Sequence, residues 1–148
     1  MTVKQMFALS FAASASLIAT AVSAGGGLEG NTRRFSANMT GAAEVPGPGD
    51  TDGTGKAILE LDPAHDRLCY KLKVEGIDPA TMSHIHLGAE GVAGAVAVKL
   101  DPPTKGVSGN CTQIPPELTQ GLMKKASDYY VNVHNDAFPN GAIRGQVK

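Results

Sequence analysis

No tryptophan occurs in this chain, whereas glycine and proline number 18 and 9, a balance that suits short strands joined by turns better than helices. Basic clusters are missing too, and a near-neutral charge argues against nucleic acid or an anionic membrane as partner. Cysteine is down to Cys69 and Cys111, without the C-x-x-C spacing of a redox or zinc motif. There is no G-x-S-x-G, and no glycine-rich phosphate loop follows a strand and opens a helix. Serines and acids are scattered, so no nucleophile and base stand together and the reading is non-enzymatic.

What is present begins with an apolar run. Lys4 supplies a positive start, Met6 to Val22 carries no charge, and Val22-Ser23-Ala24 offers the small residues that a signal peptidase accepts. Residues 1–24 therefore read as a signal peptide and 25–32, with Gly25-Gly26-Gly27, as a flexible lead-in to one domain over 33–148. No cysteine follows the cleavage site, so no lipid anchor is expected, nor any membrane association after cleavage. Cleavage removes Lys4 and no acid, so the 13 basic residues become 12 against 14 acidic ones, a net charge near −2. The expected location is secreted or periplasmic, with another extracytoplasmic protein as the possible partner. In an exported chain two cysteines suggest one disulfide, Cys69 to Cys111; separate free thiols or copper ligands are the alternative. A loop of about 42 residues closed in this way stabilises by roughly 4 kcal/mol on the chain-entropy argument.

Along the domain, alternation predicts strands. Arg33 to Thr40 is the first, followed by a turn-rich run to Gly55. Lys56 to Asp62 then turns Ala57, Leu59 and Leu61 inward, and Arg67 to Glu75 does the same with Leu68, Tyr70, Leu72 and Val74. Cys69 falls on the outward side. A strand carrying His84 and His86 follows, then Ala95 to Leu100 with Val96, Val98 and Leu100 in phase. Asp101 to Gln113, rich in Pro and Gly, reads as a loop. Pro115 to Lys125 is the one helix, with Leu118, Leu122 and Met123 as its apolar stripe. Tyr129 to Asn135 and Ala142 to Val147 form a last hairpin. Its register should set His134 opposite Ala142, Asn132 opposite Arg144, Tyr130 opposite Gln146 and Val133 opposite Ile143, separating a polar face from an apolar one. These elements indicate an all-β antiparallel sandwich or Greek-key barrel with one short helix.

Side chains two apart on a strand share a face, so His84 and His86 project together, and His134 lies on a polar strand face. Neutral imidazoles suit copper or zinc, which makes the three histidines a candidate metal site. Glu44, Asn132, Asn135 and Asp136 are available as hydrogen-bonding partners of the rings or as a fourth ligand. The same histidines can instead form a polar network with Glu44, Asn132, Asn135 and Arg144 that ties loops to the sheet. Arg144 is expected to pair with Glu44 or Asp136, or else to clamp an anion. Met82 is in phase with His84 and reads as packing or as a soft axial copper ligand. Tyr129 and Tyr130 read as sheet packing, and His65 as a solvated turn residue.

Five stretches carry a resemblance: Gly41-Ala42-Ala43-Glu44-Val45-Pro46, Leu68-Cys69-Tyr70, His84-Ile85-His86-Leu87-Gly88, Tyr129-Tyr130-Val131-Asn132-Val133-His134 and Gly141-Ala142-Ile143-Arg144-Gly145-Gln146. In this order they resemble the CHRD domain, the module named after chordin and found alone in secreted bacterial proteins. The resemblance implies an exported immunoglobulin-like or superoxide-dismutase-like β fold with a structural or interaction role and no general catalytic activity. A fainter similarity is to copper-zinc superoxide dismutase, where a His-x-His strand supplies two copper ligands. His84 and His86 match that spacing, but only His65 remains for the bridging and zinc positions, so dismutase activity is not expected. Two readings follow: a non-enzymatic exported domain with a structural or interaction role, or an extracytoplasmic copper- or zinc-binding protein.

Overall fold

The computed structural model describes residues 32–148, so the expected signal peptide, 1–24, and all but the last residue of the lead-in, 25–32, lie outside the described residues. Eight antiparallel strands form one sheet: β1 (Arg33–Thr40), β2 (Thr54–Asp62), β3 (Arg67–Glu75), β4 (Ala80–Leu87), β5 (Ala95–Leu100), β6 (Val107–Gln113), β7 (Tyr129–Asn135) and β8 (Ile143–Gln146). Their order is β5-β4-β7-β8-β1-β2-β3-β6, so the chain crosses between the sheet's halves at β3–β4, β5–β6 and β6–β7. Among the described residues one α-helix, α1 (Pro116–Lys125), sits between β6 and β7.

The sheet curls into a nearly closed barrel, as the strand pattern predicts. Its two edges meet at Asp101, just beyond β5. Ser108 and Asn110 of β6 donate side-chain hydrogen bonds to Asp101 at 2.7 and 2.9 Å, and the Asp101 N–H donates to the Tyr70 hydroxyl at 2.8 Å. Inside lies an apolar core that includes Met39, Leu59, Leu61, Leu68, Leu72, Ile85, Val131, Val133 and Ile143. Leu118 and Leu122 of α1 join that cluster, whereas Met123, expected in the same stripe, faces solvent. The inward phases expected for β2 and β3 are the buried ones.

Two expectations need correction. Asp101–Gln113 is not all loop: Val107–Gln113 is an edge strand paired with β3, Cys111 directly opposite Cys69, and the two cysteines form a disulfide. Val96, Val98 and Leu100 do not keep one phase either, because a bulge opposite Ile85 and His86 shifts the β4–β5 register. Leu100 is buried, Val98 partly buried and Val96 exposed. The register set out for the last hairpin is found at Tyr130↔Gln146, Asn132↔Arg144 and Val133↔Ile143.

Candidate metal centre

The outer face of β4, β7 and β8 is where the polar phases of three strands coincide. Ladder pairing arranges them in rows. Met82 stands opposite His134. The next row runs Lys99, His84, Asn132, Arg144, and the one after it His86, Tyr130, Gln146. The alternate residues, Ile85, Val131, Val133 and Ile143, fill the core, so core packing fixes which side chains face outward.

A loop, residues 88–94, folds over this face and makes it a covered one. Gln146 donates to the Gly88 carbonyl at 2.7 Å, Arg144 to the Ala89 carbonyl at 3.0 Å, and the Gly94 N–H donates to the Tyr130 hydroxyl at 3.1 Å. Gly94 has to be glycine: a Cβ there would collide with the Leu87 carbonyl oxygen. On this face the three histidines meet, one ligand atom of each lying within 4.8 Å of the others.

Carbonyl oxygens accept and never donate, so the rings' partners define their tautomers. His86 Nδ1 lies 2.9 Å from the Gly94 carbonyl and His134 Nδ1 lies 3.0 Å from the Pro139 carbonyl. Both nitrogens therefore carry the proton, and both Nε2 atoms are unprotonated acceptors. His86 Nε2 is buried without a hydrogen-bond partner, whereas His134 Nε2 faces His84 Nδ1 at 3.2 Å. In neutral rings that contact is a hydrogen bond donated by His84.

The same 3.2 Å fits another role. Two nitrogens on one ion at about 2.0–2.1 Å stand about 2.9–3.4 Å apart for bond angles between a right angle and the tetrahedral value. The His84–His134 contact thus already has the length of a coordination edge. With one nitrogen of each ring within 4.8 Å of the others, bringing all three to that edge takes a closure of no more than about 1.5 Å.

Protonation is disfavoured at all three rings, chiefly because they are taken out of water. Burial, then the neighbouring His134, His86 and Lys99, lowers the His84 pKa to about 4. Burial also lowers His86, aided by Arg144, and lowers His134, aided by His86. At neutral pH the cluster is a set of uncharged donors, the state a metal requires.

Arg144 is 2% exposed. It closes no ion pair with Glu44 or Asp136. Its guanidinium lies 3.5 Å over the Tyr130 ring, and Tyr130 stacks on His86 with centroids 4.7 Å apart and 9° between planes. Glu44, 5% exposed, accepts from Asn132 at 3.3 Å; burial, opposed by Arg144, raises its pKa to about 7. Asn135 uses its carbonyl to accept the Phe138 N–H at 2.8 Å in the turn after β7, and Asp136 is exposed beyond that strand. His65 pairs with Asp62 at 2.7 Å on the surface.

Sequence reasoning passed over Lys99 and the Gly94 and Pro139 carbonyls, and gave Tyr130 too small a part. Backbone acceptors leave no residue-type signal, and the bulge hides the pairing of Lys99 with His84. Among proteins of known type, the family model for the CHRD domain matches residues 35–147. No curated protein and no solved structure matches the chain.

Proposed function

For a chain that belongs to the CHRD-domain family, we propose an exported, non-enzymatic β-domain that binds a late first-row transition metal, copper or zinc, through His84, His86 and His134. One observation carries the reading: three neutral imidazoles converge on one covered face, and two of them have Nδ1 tied to a backbone carbonyl, which leaves Nε2 unprotonated and able to bind an ion. Outer hydrogen bonds of this kind orient metal-binding histidines. A disulfide within the domain fits an oxidising compartment, and with the family it favours an extracytoplasmic location. Binding, buffering or delivery suits a covered set of neutral donors better than turnover. The hydrogen bonds from His86 and His134 to two loops favour a second reading, a structural face that fixes those loops for a protein partner.

Calorimetry with the untagged protein separates the two. Addition of Cu(I), Cu(II) or Zn(II) is expected to release or absorb heat at one ion per chain and to raise the thermal midpoint. At a free ion concentration of a hundred times Kd the gain is about 2.7 kcal/mol, several degrees for a domain of this size. His84→Ala and His86→Ala should lose both signals. No heat and an unchanged midpoint with all three ions would leave the structural reading alone.

A further inference from the structure

Three nitrogens leave a four-coordinate ion one ligand short. Met82 is the neighbour that can fill that place. It faces His134 across the β4–β7 ladder, and residues directly opposite have Cβ atoms about 4.5–5.5 Å apart. Being two residues before His84 on the same strand, it shares that residue's face. Core packing, the ordinary reason for a methionine in a strand, does not apply here. Met82 is 44% exposed and stands outside the core cluster. A flexible, polarisable thioether is thus left in water beside the His84–His134 pair.

Charge around the cluster decides what such a ligand set holds. All four donors are neutral. Lys99 stands opposite His84, and Arg144 follows Asn132 in the same row, so cations flank the site on both sides. Glu44, the buried carboxylate of this face, hydrogen-bonds Asn132 rather than an imidazole. Coulomb repulsion scales with the ion's charge, so a divalent ion meets twice the opposition of a monovalent one. Thioether ligands select Cu(I) in addition.

We propose that the site takes the cuprous ion, Cu(I), with the Met82 thioether as fourth ligand beside His84, His86 and His134. The inference rests on the metal-binding reading above and narrows it to one ion and one further residue. Because Met82 is exposed, its sulfur is also the ligand that an incoming or departing copper meets first.

The test is an anaerobic competition of the whole untagged protein against a chromophoric Cu(I) chelator, with ascorbate as reductant so that the disulfide stays closed. A parallel titration uses a chromophoric Zn(II) chelator. The unaltered protein should take one Cu(I) per chain and hold it more tightly than Zn(II). Met82→Leu, a volume-conserving change at an exposed position, should weaken Cu(I) binding at least about tenfold and leave Zn(II) within about twofold. X-ray absorption at the copper edge should show a sulfur neighbour that disappears in Met82→Leu. Equal Cu(I) affinity in the two proteins, or Zn(II) held as tightly as Cu(I), would overturn this inference while the metal site stands. Failure of the unaltered protein to take either ion would overturn both.

Discussion

His84 keeps a pKa of about 4 against an ordinary 6.5, so the folded protein holds this ring neutral at pH values where the unfolded chain protonates it. The unfolded state binds more protons between those two values, and stability rises with pH wherever that is so. The contribution of His84 is therefore complete above pH 6.5 and is lost as the pH falls toward 4. His86 and His134, lowered by the same desolvation, act in the same direction. Urea midpoints of the metal-free protein should drop between pH 7 and pH 4, and His84→Gln should flatten part of that slope. A variant with the same slope as the parent would show that the ring is not buried in its neutral form. At this scale much of the site was legible, because His-x-His on a strand obliges both rings onto one face. The tautomers were not legible, since they depend on carbonyls of Gly94 and Pro139 that reach the rings only through loop conformation.

Strand β6 shows why an element can escape sequence reading. Alternation marks a strand only when one face is buried, and Val107–Gln113 is an edge strand with both phases largely exposed. Its Gly and Asn, with the preceding prolines, imitate a loop. β2 and β3 bury every second residue and were legible for that reason. What fixes β6 is its ladder with β3 and the disulfide at Cys69↔Cys111, which closes a separation of 42 residues. Chain entropy assigns such a bridge roughly 4 kcal/mol. Cys69→Ser with Cys111→Ser should cost a few kcal/mol in urea unfolding, with β6 amides losing hydrogen-exchange protection first. An unchanged midpoint and even protection would place the stability of that edge elsewhere. The bulge in the β4–β5 ladder is the other hidden feature: it moves Val96 out to solvent and keeps Lys99 opposite His84, and no residue-type pattern announces it.

Over the whole molecule, fold and site answer to one division. The barrel encloses aliphatic residues, and the outer face of β4–β7–β8 collects what the core refuses: three imidazoles, Asn132, Arg144 and Glu44. Residues far apart in sequence meet there because β7 inserts between β4 and β8. The hairpin register foretold half of that arrangement, whereas the insertion is a long-range choice that local patterns do not encode. The fold is thus a frame for a covered polar face, and the central claim is that one nitrogen from each of its three imidazoles can meet on a single ion, Nδ1 of His84 with Nε2 of His86 and His134. Long-range proton–nitrogen NMR of the histidine rings tests this most directly. Without metal, all three rings should appear as neutral Nδ1–H tautomers at pH 7. One equivalent of Cu(I) or Zn(II) should shift Nε2 of His86 and His134 together and move the His84 proton from Nδ1 to Nε2. Rings that keep their metal-free spectrum after the ion is added, or that respond singly, would contradict the account.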